Sequence, residues 1–422
     1  MISLCKKLYK INRSITGAGV RESLEIIKNH NVPLEIFSVK SGTKVFDWTI
    51  PKEWNIKDAY VIDLSTGRKV IDFNNHNLHV MSYSIPVNKE ITFKDLDENL
   101  YYIESMPDAI PYTTSYYQRR WGFCLSYNEY KKLDKNSRYR VVIDSSLENG
   151  FLNYGEVIIP GESEKEIMFS TYICHPQMCN NELSGPAVWS EIVKHVSNLK
   201  SRKYTYRFVI APETIGSIAY ISKNINKLKR DVIAAFNLTC VGDERCFSYI
   251  PSRQGDTYAD KVAKLVLDTE ILEYKEYTWL QRGSDERQYC APGVDIPMCS
   301  ITRSKYQEYP EYHTSLDNFD LISEKGLKGS LSLYKSIVHA IEKNCSPISN
   351  ILCEPNLGSR GLYPTSNDRK PLKKRIRLIK NFLSYCDSSY DLIDLCKILN
   401  IDFKTCYDIF CTLEAKGLVR SL

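Results

Sequence analysis

The chain has 422 residues, of which 43% are hydrophobic and 25% charged, and its net charge of +5 comes from 56 basic and 51 acidic side chains. This composition is ordinary for a globular protein and excludes a disordered chain, while the near balance of charge gives no argument for nucleic acid as the main partner. The length exceeds what one hydrophobic core supports, so we predict two or three domains.

Neither membrane insertion nor secretion is indicated by the sequence. No run reaches the roughly 20 apolar residues that a membrane span needs, and residues 1–7 lack the apolar stretch of a secretory signal. The 14 cysteines include no CxxC pair and fall mostly in apolar segments, so we interpret them as reduced and buried. The sequence therefore predicts a cytoplasmic protein with no membrane partner.

The first part of the chain contains two blocks of different periodicity. Residues 12–17 are typical of a helix start, and Val20 and Ile27 follow at helical spacing. Residues 44–137 instead show short alternating strands between turns rich in Gly, Asn and Asp. We predict that residues 44–137 form a small, mostly β domain inserted into a larger domain that begins with residues 1–43.

The larger domain continues through residues 138–345, where near-continuous apolar strands alternate with helical patterns. The predicted strands lie at residues 139–143, 154–160, 166–170, 206–211 and 232–237. This alternation predicts an α/β fold with a mixed, mainly parallel sheet covered by helices on both faces. Ligands bind beyond the carboxyl ends of such strands, so His175, Glu213 and Thr239, which follow three of them, are predicted to converge.

The last block, residues 346–422, follows a stretch at residues 345–367 whose Pro, Ser, Asn and Gly content is typical of a linker. An amphipathic helix at residues 374–385, two further helices joined by a turn, and the start of a wing predict a winged helix-turn-helix domain. Asp408 and Glu414 offset the lysines of its second helix, which weakens phosphate binding. We expect packing or dimerisation first and nucleic acid second, with a homo-oligomer left open.

Two histidines in polar loops are the main indication of function. His175 lies in residues 170–185, among amide and carboxylate side chains, and His313 lies in residues 312–317. Two histidines and an acid, with water in the fourth position, form a common catalytic zinc site. Each histidine taken alone is also explained as an ordinary loop residue.

Five motifs occur in an order that resembles the co-catalytic zinc aminopeptidase and glutaminyl cyclase superfamily. They are His175 after a strand, residues 181–185, residues 212–216, residues 284–287, and residues 313–314. Residues 45–48, 115–122, 236–242 and 282–289 also resemble a bacterial family of aminopeptidase-like proteins, often labelled polysaccharide biosynthesis proteins. The resemblance covers nearly the whole chain. It implies a zinc-peptidase-like (phosphorylase/hydrolase-like) fold with an inserted β domain and a C-terminal winged helix.

Three positions depart from the two-zinc pattern of that superfamily. Asn181 stands in place of a bridging Asp, Thr214 in place of a second ligand acid, and Thr239 in place of a third acid. Neutral side chains do not offset the repulsion between two neighbouring Zn²⁺ ions. The comparison therefore implies one zinc ion in this chain.

The resemblance implies that His175 and His313 are the nitrogen ligands of this zinc ion. Glu182 is preferred as the third ligand, because a carboxylate binds Zn²⁺ more strongly than an amide oxygen does. Asn181 is the alternative if the loop keeps the superfamily register.

Two further acids correspond to residues with roles near the metal in the superfamily. Glu213 aligns with the general base, and Asp285 aligns with an acid that would orient a metal-bound histidine. Glu213 is also explained as a helix cap and Asp285 as a turn residue.

Cationic and aromatic side chains near these motifs are predicted to bind substrate, namely Arg282, Arg287, Arg303 and Tyr312. An arginine often clamps a carboxylate with two hydrogen bonds, which favours a carboxylate-bearing substrate. Each arginine taken singly is also explained by a surface ion pair. Residues 116–121 of the inserted domain either overhang the pocket or form the seam between domains.

The sequence thus predicts a mononuclear zinc-dependent hydrolase of an amide or peptide bond, aminopeptidase-like or carboxypeptidase-like. Its substrate is a small molecule or peptide that carries a carboxylate or is related to a cell-surface polysaccharide. Two alternatives stay open: zinc-dependent cyclisation or non-hydrolytic acyl transfer, and a non-catalytic ligand-binding regulator with a winged-helix interaction module. A base beside two histidines favours an enzyme.

Overall fold

The computed structural model describes residues 1–363 and 371–422, with side chains for all of these except residues 371–373. Its strands are β1 (Glu35–Lys40), β2 (Lys44–Val45), β3 (Trp48–Thr49), β4 (Glu53–Asp63), β5 (Arg68–Asp72), β6 (Val87–Thr92), β7 (Leu100–Tyr101), β8 (Phe123–Cys124), β9 (Arg138–Glu148), β10 (Phe151–Ile159), β11 (Ser163–Tyr172), β12 (Tyr204–Ala211), β13 (Val232–Leu238), β14 (Phe247–Ile250), β15 (Tyr274–Glu276), β16 (Met298–Thr302), β17 (Pro347–Ser349) and β18 (Val419–Ser421). Its helices are α1 (Ile2–Leu8), α2 (Ala18–Lys28), α3 (Phe93–Asp97), α4 (Tyr127–Tyr130), α5 (Ser184–Ser197), α6 (Ile215–Asp231), α7 (Tyr258–Glu270), α8 (Glu286–Tyr289), α9 (Glu324–Lys343), α10 (Pro371–Leu383), α11 (Leu392–Leu399) and α12 (Phe403–Ala415).

The described residues form two compact units. The first comprises Met1–Gly255 and Lys275–Leu331, and the second comprises Asp256–Tyr274 and Ser332–Leu422. No helix in the described ranges is both long enough and apolar enough to cross a membrane.

An eight-stranded sheet is the largest sheet of the first unit, with the strand order β1-β10-β12-β11-β13-β16-β14-β15. The neighbours β12, β11, β13 and β16 run parallel, whereas β10 and β14 pair with them antiparallel. Phe169 of β11 lies in register with Phe208 and Phe236 on either side, and all three are buried. The predicted α/β fold with a mixed sheet is confirmed, but the parallel part is limited to four of the eight strands, and β1–β10, β10–β12 and β14–β16 pair antiparallel.

A second sheet has four antiparallel strands in the order β5-β4-β9-β6. It contains β9, although the strand predicted at residues 139–143 was assigned to the main sheet, so that assignment is wrong. Tyr139, Val141 and Ile143 are buried, and Arg140 between them is exposed. This period of two is typical of an antiparallel strand with one face in solvent, and it differs from the continuous apolar runs of the main sheet.

The second unit contains the predicted helix-turn-helix. Asn400 ends α11 with a φ of 52°, and the side chain of Asp402 caps α12 by accepting the N–H of Thr405 at 2.8 Å. Strand β18 corresponds to the predicted start of a wing, and it pairs antiparallel with β17, which lies in the segment predicted to be a linker. Part of the predicted linker, residues 364–367, lies outside the described residues.

The parallel strands bring three polar segments to one edge of the main sheet. Tyr172 ends β11, Ala211 ends β12 and Leu238 ends β13, and all three ends point to the same side because these strands run parallel. The residues after these strands are therefore neighbours in space, as expected for a site beyond the carboxyl ends of parallel strands.

Candidate functional site

The His175 loop, residues 173–183, connects β11 to α5. Its histidine is 4% exposed, and its ring Nδ1 lies 3.0 Å from Oε2 of Glu182. Nε of Arg13 donates to Oε1 of Glu182 at 3.1 Å and to the backbone oxygen of His175 at 3.0 Å. Because Nδ1 faces a carboxylate, Nε2 is the nitrogen left for other partners. It lies 3.7 Å from Oε2 of Glu213.

Buried charges compensate each other beneath this loop. The side chains of Arg13 and Glu182 are both 0% exposed. Burial disfavours the charged ring of His175, but Cys174 and Glu182 outweigh it and raise the pKa of His175 well above its ordinary value. Burial also lowers the pKa of Arg13, and Glu182 opposes that effect. The orientation of the ring therefore depends on a buried ion pair.

The His313 loop, residues 306–317, holds its histidine by packing and backbone contacts. His313 has a φ of 57°, its ring stacks on Tyr312 with 3.9 Å between centroids, and its carbonyl accepts the N–H of Tyr112 at 2.8 Å. Its Nε2 is buried and has no hydrogen-bond partner among the described residues. Burial and the nearby His175 lower the pKa of His313 well below its ordinary value. The ring is therefore neutral.

Residues 110–116 support the His313 loop from the side. Pro111 and Thr314 form an antiparallel β-bridge, and the hydroxyl groups of Tyr112 and Tyr116 lie 2.5 Å apart. The same segment thus binds the backbone beside His313 and contributes two aromatic rings next to it.

Glu213 lies in a tight turn between β12 and α6. Its carbonyl accepts the N–H of Ile215 at 2.8 Å, and Thr214 has a φ of 65° and a ψ of −79°. This is the rare classic γ-turn, which is strained for a β-branched residue. Oδ1 of Asp285 accepts the N–H of Thr214 at 2.8 Å, and Nη2 of Arg287 donates to its hydroxyl at 2.6 Å. These two contacts hold the strained turn that carries Glu213.

The structure distinguishes between the interpretations of the two acids. The N-cap of α6 is Thr214 and has no side-chain cap hydrogen bond, so Glu213 is not the cap, and burial raises its pKa. Asp285 was predicted to orient a histidine, but its carboxylate instead binds the backbone of Thr214. Burial and the charge of Glu213 raise the pKa of Asp285 to about 7.

Asn181 belongs to a buried chain of polar groups with Tyr172 and Thr239. The hydroxyl of Tyr172 donates to Oδ1 of Asn181 at 2.7 Å and lies 2.5 Å from Oγ1 of Thr239. That hydroxyl of Thr239 donates to the backbone oxygen of Asn181 at 3.1 Å. Nδ2 of Asn181 has no partner among the described residues. The neutral groups at positions 181 and 239 are thus linked to each other through a tyrosine.

A cavity of about 410 Å³ opens beside the two histidines. It is lined by Ile15, Trp48, Tyr112, Thr114, Tyr116, Tyr117, Cys174, His175, Glu213, Thr214, Ile215, Arg287 and His313. The structure therefore brings four predicted site residues together on one surface, namely His175, Glu213, Arg287 and His313. The other predicted polar residues, Asn181, Glu182 and Asp285, are buried.

Three predicted substrate-binding residues are absent from the cavity lining in the described part of the chain. The guanidinium of Arg282 lies 4.9 Å from the ring centre of Trp279, and that of Arg303 lies 3.8 Å from the ring centre of Phe247. Tyr312 packs against the adjacent histidine ring. Direct substrate contact was predicted for all three, but each of these side chains instead packs against a neighbouring aromatic ring.

Two important residues were missed by sequence reasoning. Arg13 lies in the segment predicted only as a helix start, and its partner Glu182 is 169 positions away, so no local spacing could indicate the pair. Tyr112 lies outside residues 116–121, the segment predicted to overhang the pocket or to form a seam. Tyr116 and Tyr117 do line the cavity, which favours the overhang.

The donor atoms at the cavity fit a zinc ion. His313 offers a buried Nε2 without a partner among the described residues, and His175 offers an Nε2 whose ring is oriented by Glu182. A carboxylate on the far nitrogen of a ligating histidine is a common support for zinc. Donor atoms of Cys174, His175 and Glu182 also lie within 4.8 Å of one another, but these already bond among themselves.

Models of two known protein families match the two parts of the chain. A model described as a domain of unknown function, DUF4910, matches residues 2–344, and a model of winged helix-turn-helix domains matches residues 345–421. The chain belongs to the DUF4910 family. The second match confirms the predicted winged helix.

Individual relatives of this DUF4910 protein agree with the predicted resemblance. It is 50% identical, over 362 residues, to a Clostridium acetobutylicum protein named as a candidate polysaccharide biosynthesis protein with an aminopeptidase-like domain. That match covers 86% of this chain and 82% of the relative. The crystal structure of a candidate peptidase from Clostridium acetobutylicum covers 100% of this chain and 95% of its own, with 44% identity and a TM-score of 0.93.

A more distant structure supports the fold of this DUF4910 protein. BSAP, a zinc aminopeptidase from Bacillus subtilis, superposes with a TM-score of 0.59 at 14% identity, over 81% of this chain and 93% of its own. At that identity the likeness concerns the fold alone. The predicted zinc-peptidase-like fold is confirmed.

Proposed function

We propose that the protein is a zinc-dependent hydrolase of an amide or peptide bond that uses one metal ion. The observation that carries the proposal is the convergence of His175, His313 and Glu213 on one cavity. Nε2 of His313 has no hydrogen-bond partner among the described residues, and Nε2 of His175 lies 3.7 Å from Oε2 of Glu213, which is beyond hydrogen-bond distance. The names of the relatives, a candidate peptidase and a protein with an aminopeptidase-like domain, support the same class. The name of the second relative, a polysaccharide biosynthesis protein, supports a substrate related to cell-surface polysaccharide.

His175 and His313 are the proposed nitrogen ligands of the zinc ion. Glu182 was preferred as the third ligand, but both of its oxygens already have buried partners, Arg13 and the Nδ1 of His175. We assign Glu182 to the orientation of His175 instead. This role is the usual one for a carboxylate that binds the far nitrogen of a ligating histidine.

Asn181 becomes the proposed third ligand. If its amide is turned by 180°, its nitrogen donates to the hydroxyl of Tyr172, and that hydroxyl donates to Thr239, so the amide nitrogen and both hydroxyl groups have partners. The amide oxygen is then the atom left over, and an oxygen is a zinc ligand. We expect Asn181→Asp to raise zinc affinity about tenfold, since it adds a negative charge, when measured by chelator competition. Unchanged affinity would contradict a ligand at this position.

The reaction assigned to this site is addition of water to the amide carbonyl. Zinc in such a site activates water and polarises the carbonyl. Glu213 accepts a proton from the attacking water and donates it to the leaving nitrogen. The γ-turn at Thr214, held by Asp285 and Arg287, keeps this carboxylate in place. The aromatic walls of the cavity limit access of bulk water to the reacting groups.

Glu213→Gln tests this assignment against the alternatives. We expect the variant to keep its zinc, measured by metal analysis, and to lose hydrolysis of peptide and N-acyl amino acid substrates by about 10²–10⁴-fold. Glu90→Gln, at an exposed position of β6, is the matched control. Full activity of Glu213→Gln would exclude it as the base. Zinc binding by the wild type without any hydrolysis would favour cyclisation or acyl transfer, and absence of zinc would favour a ligand-binding regulator.

The remaining predictions on organisation stay proposals. We propose that residues 1–43 and 149–345 form the peptidase-like domain and residues 346–422 the winged helix, in a cytoplasmic protein. Because β9 pairs with β4 and β6, residues 138–148 move from the predicted peptidase-like domain to the inserted domain, which then spans residues 44–148. Limited proteolysis, with cleavage sites read by mass spectrometry, tests these boundaries.

The winged helix is proposed as an interaction module rather than a reader of DNA. Lys404 on α12 is paired with Asp408 of the same helix at 2.9 Å, so its charge is not free for phosphate. Salt-dependent binding of the full chain to duplex DNA would contradict this proposal.

A further inference from the structure

The charged side chains of the cavity are few and of opposite sign. Apart from the histidines, the charged residues on its described lining are Glu213 and Arg287. Three further acids near the site are already engaged, Glu182 with Arg13, Asp285 with the amide of Thr214, and Glu286 with the hydroxyl of Tyr306. A substrate that enters the cavity therefore meets one carboxylate and one guanidinium.

Arg287 lies at the cavity with a neutral hydrogen-bond partner. Its side chain is exposed, and its described hydrogen bond goes from Nη2 to the neutral hydroxyl of Thr214 at 2.6 Å. Within the described residues no carboxylate forms an ion pair with it. The hydroxyl thus positions the guanidinium without neutralising it, and most of its five N–H donors remain free for a ligand.

The position next to Thr214 also places this cation close to the proposed base. Glu213 directly precedes Thr214 in the γ-turn, and Arg287 is among the charges that act on Glu213. A group bound by Arg287 would therefore lie near the amide bond on which Glu213 acts. A guanidinium binds carboxylates through two parallel hydrogen bonds, which fixes their orientation as well as their distance.

The charged residues of the cavity also argue against recognition of a free amino terminus of the substrate. Binding of an ammonium group requires an anion, and the described lining offers only Glu213, which the proposed reaction uses as its base. The hydroxyl groups of Tyr112 and Tyr116 bond to each other. The rings of Trp48 and Tyr117 add apolar surface at the cavity. Among the described lining residues, no carboxylate other than Glu213 would offset the charge of an amine.

We propose that the substrate is an N-acylated amino acid or peptide whose free carboxylate is bound by Arg287, so that cleavage has carboxypeptidase polarity. This inference rests on the proposed hydrolase function and specifies its substrate class. The water oxygen forms the new bond to the acyl carbon, the C–N bond breaks, and the nitrogen gains a proton from water. The products are a carboxylic acid and a free amino acid, and no further reactant is needed.

Binding to the full-length zinc-loaded protein tests the role of Arg287 directly. The probes are N-acetyl-L-phenylalanine and its neutral C-terminal amide, compared by isothermal titration calorimetry. We expect the carboxylate to bind about tenfold or more tightly than the amide, and Arg287→Met to remove this preference. Arg282→Met is the matched control, because Arg282 lies close in sequence but stacks on Trp279 outside the cavity lining. It should keep the preference.

Equal binding of the two probes, no binding of the carboxylate, or a preference that survives Arg287→Met would each overturn the proposal. Tighter binding of L-phenylalaninamide, which has a free amine and no carboxylate, would overturn it in favour of aminopeptidase polarity.

A hydrolysis assay separates failure of this inference from failure of the proposed function. The pair is N-acetyl-alanyl-phenylalanine and its C-terminal amide, and we expect kcat/KM to be at least tenfold higher for the free acid. Equal cleavage of both would overturn the role of Arg287 and leave the hydrolase intact. A carboxylate preference in binding without cleavage of either peptide would support Arg287 and overturn the hydrolase.

Discussion

The two loops that bring histidines to the cavity hold them by different forces. In the His175 loop, the ring is fixed by Glu182, which is in turn paired with the buried Arg13. In the His313 loop, the ring is fixed by stacking on Tyr312 and by a backbone conformation with positive φ, and its Nε2 has no partner among the described residues. One ring is positioned by charge and the other by shape.

The difference determines which properties of each histidine ring are fixed before a ligand binds. A carboxylate on Nδ1 selects the tautomer and direction of the His175 ring before any ligand arrives. Stacking places the His313 ring but leaves its tautomer free. The loops are joined by Asp317, which accepts the N–H of Asn181 at 2.9 Å and the hydroxyl of Tyr309 at 3.0 Å. The His175 loop should therefore be sensitive to loss of charge, and the His313 loop to loss of packing.

Removal of the buried cation should have the largest effect. Arg13→Met leaves the carboxylate of Glu182 buried without its partner, which costs about 3–5 kcal/mol of the free energy of unfolding. Urea denaturation measures the loss. Arg21→Met is the control, because Arg21 also forms an ion pair with a glutamate, Glu53, but its side chain is 40% exposed. Equal losses of unfolding free energy in Arg13→Met and Arg21→Met would contradict a special role for the buried ion pair in the His175 loop.

The control pair should show its own dependence on pH. Burial alone would raise the pKa of Glu53, but hydrogen bonds from Arg21, Asn55 and the N–H of Phe151 lower it to about 2. A carboxylate with a lowered folded pKa stabilises the protein above about pH 4.5, and this contribution is lost as the pH falls towards 2. We expect Glu53→Gln to cost about 2 kcal/mol at pH 7 and nothing near pH 2. Unfolding free energies of the wild type and Glu53→Gln at pH 7 and near pH 2 measure this difference. A difference that does not change with pH would contradict the prediction.

Neutralising the orienting carboxylate should weaken metal binding as well as the fold, because it also leaves the buried Arg13 without its charged partner. Glu182→Gln keeps the size of the side chain but weakens its hold on His175, so zinc affinity should fall about 10- to 100-fold. Competition with a chelator measures this change. Complete loss of zinc would instead indicate that Glu182 is itself a ligand, as the sequence first suggested.

The smallest effect should come from the stacked loop. Tyr312→Leu removes one aromatic pair and should cost about 1 kcal/mol of stability, with a smaller loss of zinc affinity than Glu182→Gln. Thermal denaturation and the same chelator competition give both values. A larger loss of zinc than in Glu182→Gln would reverse the comparison between the loops.

Much of this arrangement is visible in the sequence because it depends on local pattern. Apolar strands alternating with helices predict the main sheet, and the order of motifs predicts His175, Glu213 and His313 at its edge. What the sequence does not give depends on tertiary contacts. Arg13 has no local feature that points to Glu182, and nothing local distinguishes Arg287 from Arg303, whose guanidinium packs on the ring of Phe247 and donates to the carbonyl of Gly326.

The bridge between Pro111 and Thr314, with the contact of Tyr112 to the carbonyl of His313, limits how the protein can be simplified. An engineered minimal version that replaced residues 44–137 with a short linker would keep every candidate metal ligand in its sequence. It would nonetheless lose the backbone pairing beside one of them and four of the cavity's aromatic rings. The insertion is thus not a removable accessory, and shortening it should abolish metal binding even if the remaining sheet folds.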